Sequence, residues 1–597
     1  MKSFRKALAF LLSAAMSVCV FTGCGDKTEN DGEQNSTGES TVSTGESQKE
    51  ESNKELKLVK EDQVYRFSSG SDVTGLNPIT NTTQPDNGLQ HLILETLVAD
   101  VADENDVSTI KPCMAESWDI SDDGKVYTFH IRQNAKWSDG VDFTADDIVY
   151  TYQVMANPES AATNAWYFDG VIENFKEAHY SGAENGDGTV NPEVAPEEIG
   201  VKAIDAKTLE ITLIKPTPYF LGLIALPKPI RKDLYEKYGS EYGSSVDKVA
   251  TNGMFNLVKW DQDIQMDLEK NPTYWDVENV KLERIERKII KESSTHAQSL
   301  LNGDIDVGSS RDPKWINMLD ETKSFRTIHL VGSSTEFYTF NCDNKYLKNA
   351  KVRQAFSLAI DREKLVEEIW EGKAEPIYSM MSPVTGYNGK FYYDVANHEN
   401  EAVKTLATEN PDPKALLIEG LKELGLDPDP SKVTLSLVSR GTTEFSKKSA
   451  EWQKQNIESI LGITLEIDLI EWNIMWDRVD AGDYDVATAG WTPDYNDPYG
   501  LLSIYHPVNG YFSAKATNWK GEDADKFAKL LDDSELETDP DKRLEMLVEA
   551  EKILVGSSAV IAPTTVGSNN SYLANYVKGY HANSVSYVDY SKIYIEK

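Results

Sequence analysis

Cysteine and histidine are scarce in this chain of 597 residues, which holds 4 cysteines and 8 histidines. Cys113 and Cys342 are far apart in sequence and neither belongs to a C-x-x-C pair, so the spacing indicates no zinc site. A disulfide between them is an alternative outside the cell, although we expect two free, buried thiols. We expect neither a metal nor a cofactor.

The short signatures of common hydrolases are also missing. The sequence has no His-Glu-x-x-His, no Gly-x-Ser-x-Gly and no glycine-rich loop that would cradle a phosphate. Carboxylates are plentiful, so a glycosidase-like acid pair stays open, but no pattern selects one. The sequence therefore favours a protein that is not an enzyme.

Positive charge is in short supply. Lysine and arginine number 60 against 98 aspartates and glutamates, a formal net charge of −38. Nucleic acid binding needs a basic footprint, and adhesion to anionic lipid needs a basic patch, so we expect neither. A length of 597 residues exceeds what one hydrophobic core serves, which predicts two or three lobes.

The N-terminus has the sequence pattern of a secretion signal. Basic residues precede the apolar run 7–21, which has the length of a signal peptide and is too short to span a bilayer comfortably. The run ends in Phe21-Thr-Gly-Cys24, which resembles a bacterial lipobox. We predict a lipoprotein signal peptide over 1–23 and lipidation of Cys24, with an ordinary secretory signal as the alternative.

Residues 24–57 consist almost entirely of small, polar and charged residues. Such a segment cannot bury enough apolar surface to fold, so we expect a disordered tether. As a flexible coil it would span on the order of 30 Å. The predicted location is the outer face of the cytoplasmic membrane, as in a Gram-positive cell, with the lipid as membrane anchor.

Hydrophobic periodicity in the body predicts mixed α/β lobes. Period-two strands are expected at 64–68, 208–214, 433–438 and 463–470, and a strand–turn–strand unit over 117–132. Helices are expected over Ala350–Trp370 and over 445–461, and a buried strand over Ala559–Ala562. Strand and helix alternate without internal repeats.

The segment Asp485–Pro498 is the most informative one. It predicts a buried strand that runs into a loop with Trp491, Asp494 and Asp497 beside two prolines. A carboxylate can pair with an ammonium group and an indole can form the wall of a side-chain pocket, which suits recognition of a peptide terminus. D-x-x-D-P loops are also common turns, so the segment needs support from the rest of the chain.

That support comes from further segments in a fixed order. They are Leu76-Asn-Pro78, Glu95-Thr-Leu-Val98, Ala115-Glu-Ser-Trp118, Asp123–Phe129, Lys136-Trp-Ser-Asp-Gly140, Thr251-Asn-Gly-Met-Phe255, Asn271–Asp276, Leu301–Val307, Lys351–Arg362 and Ala489–Pro498. From about residue 64 to the C-terminus the chain resembles the extracellular solute-binding proteins of family 5, the oligopeptide-binding proteins of ABC importers.

The resemblance implies an α/β, two-lobed clamp of the periplasmic-binding-protein type II with mixed sheets, a hinge and an extra small domain. It implies domain I over 58–95, 216–330 and 563–597, domain II over 96–215, and domain III over 331–562. A peptide would lie extended between lobes that close around it. The implied partners are an oligopeptide and an ABC permease, and we expect a monomer.

The resemblance also implies the site residues. Asp494 would hold the peptide's α-ammonium group, and backbone groups of Gly490, Thr492 and Gln84 would bind the peptide as an added strand. Trp472 and Trp491 would form pocket walls. For Trp166 a cleft position and a loop-covering position both stay open.

Two positions depart from the family pattern. Thr488 stands where relatives carry an arginine for the peptide C-terminal carboxylate, and Arg478 lies one residue out of register with a second family arginine. Thr82 replaces an acidic residue that helps to hold the ammonium group. Peptide length therefore stays open, as do other solutes on the same scaffold: a dipeptide, an oligosaccharide, a nickel chelate, haem or a peptide signal.

Overall fold

The computed structural model describes residue 59 and residues 62–184, 189–310, 313–396, 402–441, 443–584 and 588–596. The predicted signal peptide 1–23, the lipidation residue Cys24 and the predicted tether 24–57 lie outside the described residues. What is described is a mixed α/β protein with several sheets, arranged as two lobes that two long strands connect.

The first lobe contains most of the chain before residue 325. In chain order its elements are β1 (Val64–Ser69), α1 (Gln84–Ile93), β2 (Val98–Ala102), β3 (Ser108–Pro112), β4 (Ala115–Ile120), β5 (Val126–Ile131), α2 (Ala145–Ala156), α3 (Phe175–His179), β6 (Val201–Asp205), β7 (Thr208–Thr212), α4 (Phe220–Ile224), α5 (Lys232–Tyr238), β8 (Phe255–Asp261), β9 (Gln265–Lys270), β10 (Arg284–Ile289), α6 (Ser293–Asn302), β11 (Val307–Ser309) and α7 (Pro313–Thr322).

Two four-stranded sheets form the framework of this lobe. One has the order β1-β10-β9-β8, with β1 parallel to β10, and the other is antiparallel with the order β4-β5-β7-β6. Burial alternates along β5, so that Tyr127, Phe129 and Ile131 face one core. The predicted Asp-Gly turn before β5 is present, and Gly124 has φ of 69°, a conformation that glycine adopts without steric cost.

The second lobe and the crossing strands make up the rest. Their elements are β12 (Phe325–Phe340), α8 (Ala350–Leu358), α9 (Arg362–Glu368), β13 (Ala374–Pro376), β14 (Gly386–Tyr387), β15 (Lys390–Phe391), α10 (Tyr392–Val395), α11 (Ala402–Glu409), α12 (Pro413–Glu423), β16 (Thr434–Arg440), α13 (Glu444–Leu461), β17 (Thr464–Ile470), α14 (Trp472–Ala481), β18 (Val486–Trp491), α15 (Pro498–Leu502), α16 (Ala514–Thr517), α17 (Glu522–Leu536), α18 (Pro540–Glu551), β19 (Ile561–Ala574), β20 (Val577–Lys578) and β21 (Tyr594–Ile595).

One mixed sheet organises the second lobe. Its order is β11-β19-β12-β18-β16-β17, and β13 pairs with β19 beside this path. Strand β16 runs parallel to both β17 and β18, whereas β12 is antiparallel to β18. Because side chains alternate across a strand, the sheet has two apolar faces, each with its own core: Ala487 and Phe337 belong to one, Val486 and Tyr338 to the other.

Strands β12 and β19 cross from one lobe to the other as an antiparallel pair. The ladder has two register shifts, and the larger one lies where Val331 pairs with Ser568 and Thr335 pairs with Val566. Three residues of β12 therefore stand opposite Gly567 alone. A break of this kind concentrates bending at one place in an otherwise continuous ladder.

Two expectations from the sequence need correction. The helix expected over Ala350–Trp370 is two helices, because Asp361 caps α9 by accepting a hydrogen bond from the Lys364 N–H at 3.1 Å. The strand expected over Ala559–Ala562 begins at Ile561 and extends to Ala574. The other predicted strands and the helix over 445–461 are confirmed within a few residues.

Some properties are stated for the described residues alone. Among the helices seen there, none is both long and apolar enough to cross a membrane. Within the same ranges, no cluster of three or more His, Cys, Asp or Glu side chains is placed to hold a metal ion. Cys113 is buried and Cys342 is half-buried, and both are free thiols, as expected apart from the partial exposure of Cys342.

Candidate functional site

The carboxyl ends of three parallel strands meet at one edge of the second-lobe sheet. Arg440 ends β16, opposite Ile470 at the end of β17, and Trp491 ends β18. Ligands of open α/β sheets bind at such an edge, because loops of variable sequence follow each strand there. Trp472 begins α14 just after β17, and Asp494 lies in the loop after β18, so the sequence-predicted residues of this lobe converge here.

Strand β18 has an incompletely paired edge at this place. On one side β12 pairs with it from Val486 to Trp491, but on the other side the ladder with β16 ends at Ala487. Beyond that point the Arg440 N–H donates to the Thr488 hydroxyl at 3.1 Å rather than to a backbone carbonyl. An open strand edge can accept an extended peptide as an additional strand.

Asp494 has an unusual environment for a carboxylate. Its side chain is half-buried, and within the described ranges no donor or cation lies in hydrogen-bonding distance of it. Burial raises the pKa of the Asp494 carboxyl to about 6. A desolvated carboxylate without a partner is unfavourable in the empty protein, and a ligand cation would relieve that cost.

The loop that carries Asp494 is held firmly by its neighbours. The Gly386 N–H donates to Asn496 Oδ1 at 2.6 Å. Asp497 accepts two hydrogen bonds from Arg543, at 2.8 and 2.7 Å, and a third from the Tyr499 N–H at 2.9 Å. Asp497 is thus the structural residue of the pair and Asp494 the unsatisfied one, which separates two aspartates that look alike in the sequence.

Tyr495 is fixed by a stack that the sequence did not reveal. Its ring lies on that of Tyr219, with centroids 4.5 Å apart and planes 11° from parallel, and Tyr499 stacks on the same ring at 5.5 Å. The Tyr219 hydroxyl donates to Glu535 at 3.1 Å, and Lys215 pairs with Glu535 at 2.6 Å. These contacts join the first lobe to the second directly beside Asp494.

Trp491 is partly a core residue. Its indole packs on Tyr511 and Phe512, with centroids 5.0 and 6.2 Å away, and remains half-buried. The indole N–H is buried and meets no acceptor among the described residues. Its predicted role in a pocket wall stays a prediction, as does that of Trp472, whose side chain lies outside the described part of the chain.

A cation stands beside Thr488 after all, although it comes from another strand. Arg440 forms an ion pair with Glu336 of β12, whose carboxylate lies over Gly490. A Cβ atom on Gly490 would lie 2.8 Å from Glu336 Oε1, so the Glu336 carboxylate occupies the space that a side chain would fill. Sequence reasoning missed Arg440 because the register of β16 against β18 is not visible in one chain.

Arg478, the other candidate for a missing cation, is engaged elsewhere. Its guanidinium pairs with Asp468 of β17 and donates through Nε to the Asp483 carbonyl at 3.0 Å. These are contacts within one lobe that order the end of α14. Arg478 therefore has structural contacts within the second lobe.

The first lobe presents Gln84 at the start of α1. Gln84 is exposed and follows the N-cap Thr83. The Asp86 carboxylate completes the cap by accepting hydrogen bonds from the Thr83 N–H at 2.9 Å and from the Thr74 N–H at 2.6 Å. These bonds hold the loop before α1 against the start of the helix. Thr82 precedes the cap and its carbonyl accepts from Asn87 at 3.0 Å.

Trp166 lies on the same lobe with its ring against Tyr167, centroids 4.2 Å apart, and is half-buried. Thr82 and Tyr167 line a small cavity of about 30 Å³ that Gln90 and Lys228 also border. This volume holds no more than a water or two, so a larger ligand needs the space between the lobes. The position of Trp166 fits both readings left open by the sequence.

Four other tryptophans make packing contacts or hydrogen bonds within the first lobe. Trp137 is buried, Trp118 packs on Phe129 with centroids 6.3 Å apart, and the indole of Trp260 donates to Asp72 at 3.2 Å. Trp275 donates to Glu95 at 2.6 Å. These four tryptophans therefore make contacts within the fold.

Comparison with known proteins agrees with this geometry. The sequence model described as "Bacterial extracellular solute-binding proteins, family 5 Middle" matches residues 109–513. The chain belongs to this family. It is 30% identical to the oligopeptide-binding protein OppA of Bacillus subtilis (strain 168) over 459 residues, 75% of this chain and 78% of that protein.

Other known proteins are similar over comparable lengths. The dipeptide-binding protein DppE of Bacillus subtilis (strain 168) is 29% identical over 484 residues, 80% of this chain and 83% of that protein. Among solved structures, the unliganded open form of the periplasmic murein tripeptide-binding protein MppA superposes with a TM-score of 0.75 at 25% identity, covering 90% of this chain and 98% of that one. The two-lobed fold expected from the sequence is thereby confirmed.

Proposed function

We propose that the protein captures peptides in the cleft between its lobes and delivers them to the permease of an ABC importer. The observation that carries the proposal is Asp494, a desolvated carboxylate without a partner in the described structure, beside an open strand edge. This arrangement suits the free ammonium group of a peptide lying as an added strand. The family supplies the context, since its members are extracellular solute-binding proteins.

The residue roles follow from the same arrangement. Asp494 receives the α-ammonium group, backbone groups of Gly490 and Thr492 pair with the peptide from the second lobe, and Gln84 closes on it from the first. Trp491 contributes apolar surface to a side-chain pocket, and its unpartnered indole N–H can donate to the ligand. Backbone recognition reads no particular side chain, which suits a carrier of varied peptides.

The domain division is part of the proposal. Its boundaries at 330/331 and 562/563 fall within β12 and β19, so that lobe closure would bend the two crossing strands near their interrupted register. The permease would then recognise the closed form. We expect a monomer, since a single chain supplies both walls of the cleft.

Anchoring through Cys24 is proposed on the lipobox alone. The lipid would hold the body at the outer face of the cytoplasmic membrane, and residues 24–57 would give it reach. Cys24→Ala should release the protein into the medium, whereas retention of the variant at the membrane would contradict lipid anchoring.

Native mass spectrometry of protein purified from cells in rich medium tests the ligand class. We expect a ladder of masses that resolves, after denaturation, into co-purified peptides of a limited range of lengths. If only dipeptides were found, the ligand would be of the class named for the dipeptide-binding protein DppE. A protein that carries a sugar, a haem or a nickel chelate instead would contradict the peptide proposal.

A further inference from the structure

The contacts of the second-lobe arginines distinguish one of them from the rest. Residues 331–562 contain five arginines. Arg353 and Arg362 are buried and donate to backbone carbonyls. Arg543 is bound to Asp497, and Arg478 to Asp468. Arg440 differs from these four in its position, because it ends β16 at the sheet edge and its backbone N–H donates to Thr488 there. About a quarter of its side-chain surface (25%) is exposed.

Glu336, the ion-pair partner of Arg440, lies where it would compete with a ligand carboxylate for the guanidinium. Glu336 lies on β12, opposite Gly490 in the ladder, and its carboxylate reaches across that glycine to Arg440. The pair therefore crosses the face of β18 over one of the backbone positions proposed to bind the peptide. A peptide strand that lay along this edge would bring its own carboxylate to the same guanidinium.

Charge balance makes the exchange feasible. Arginine binds a carboxylate through two parallel hydrogen bonds, and one carboxylate can replace another without leaving the cation unpaired. Glu336 is partly exposed, at 16%, so it can turn toward water when it is displaced. The exchange costs less than breaking a fully buried pair, whose abandoned partner would lose all compensation.

We propose that Arg440 binds the C-terminal carboxylate of the peptide, and that Glu336 occupies Arg440 as an internal carboxylate when the cleft is empty. The inference rests on the proposed peptide-binding function and names a further specificity-determining residue of the same site. It also explains why a threonine stands at position 488. The short hydroxyl side chain accepts a hydrogen bond from the Arg440 N–H and leaves room for the guanidinium that comes from β16.

The two partners should respond in opposite directions, which a purely structural ion pair would not do. Glu336→Gln removes the competitor, so affinity for a short alanine peptide with a free C-terminus should rise several-fold. Arg440→Gln removes the anchor, so affinity for the same peptide should fall about tenfold or more, as for other charge-assisted contacts. The C-terminal amide of that peptide should bind all three proteins with similar affinity.

Isothermal titration calorimetry with the free-acid and amide peptides measures these ratios. A third peptide, an alanine peptide amide with one internal glutamate, carries a side-chain carboxylate but no terminal one. If this peptide bound as tightly as the free acid, Arg440 would not be specific for the C-terminal carboxylate. Arg440→Lys, which keeps the charge without the fork, should recover part of the free-acid preference and guards against a folding defect in Arg440→Gln.

The outcomes are distinct. Equal losses in both variants, or a wild-type protein that binds free acid and amide equally, would overturn this inference and leave peptide binding standing. A wild-type protein that binds neither peptide form would overturn the proposed function and the role of Arg440 together.

Discussion

Replacing Asp494 by asparagine should make the empty protein more stable and weaken peptide binding. The carboxyl has a pKa of about 6 in the folded protein, above its ordinary value of 3.8, because burial disfavours the charged form. The folded state therefore holds the proton more tightly than the unfolded chain. Stability contributed by the neutral acid is present below pH 3.8 and is lost as the pH rises through 6.

The size of the effect follows from the shift. About two pKa units correspond to an upper bound of roughly 3 kcal/mol at neutral pH, and partial solvent contact of the side chain lowers this to about 1–3 kcal/mol. The asparagine side chain carries no charge and keeps the shape of the aspartate. We expect the Asp494→Asn variant to unfold with a free energy higher by about that amount at pH 7.5, and by about half of it at pH 5.

Chemical denaturation of the ligand-free protein at both pH values measures the gain, and calorimetric titration with a free-amine peptide measures the loss of binding. Removing one partner of a buried charged hydrogen bond costs about 2–5 kcal/mol, so affinity should fall tens-fold or more. The matched control is Asp497→Asn, three residues away, which leaves the buried Arg543 without its partner and should destabilise the fold by about 3–5 kcal/mol.

Two results would refute this reasoning. If Asp494→Asn lowered stability as Asp497→Asn does, Asp494 would be a structural turn residue. If it raised stability while free-amine and N-acetylated peptides bound as before, the carboxylate would be desolvated for a reason other than ammonium recognition.

Three further predictions follow from the described contacts. Affinity for a free-amine peptide, measured by titration calorimetry, should fall about tenfold for each pH unit below 6, because the acid form of Asp494 cannot pair with an ammonium group; a parallel fall for the N-acetylated peptide would contradict this. Tyr219→Leu should weaken binding by loosening Tyr495, whereas Tyr219→Phe, which keeps the ring, should bind nearly normally; equal binding by both would separate the stack from the site. Gly253→Ala should prevent folding or lower the melting temperature strongly, because a Cβ there would lie 2.6 Å from the carbonyl carbon of Ile93; a normal melting curve would contradict the packing.

Sequence reasoning worked where one local pattern dominates. The period-two strands and the Asp494 loop were predictable, because alternation and turn residues act within a few positions. The prediction failed for Ala350–Trp370, where the helical period continues but Asp361 starts a new helix. The buried Arg362 guanidinium there binds carbonyls from Ile377 and Pro563, contacts that no local pattern reports.

The full length of β19 was hidden for a related reason. After Ala562 the strand crosses between lobes through a polar stretch, so no face is continuously apolar and the usual signal disappears. Arg440 was hidden because its role depends on the strand order β18-β16-β17, which is a tertiary property. Residues defined by register across strands need the structure, whereas those defined by a loop after a strand can be read from the chain.

Strand β19 contributes residues to the hydrophobic cores of both lobes. Ile561 and Ala562 belong to the two cores of the second lobe, while Leu573 and Ala574 belong to the core of the first. One strand thus contributes to all of these cores, so we expect that neither lobe can unfold without withdrawing part of the other's interior. We therefore expect the two lobes to unfold as a single cooperative body, without the partly unfolded states that lead to proteolysis and aggregation.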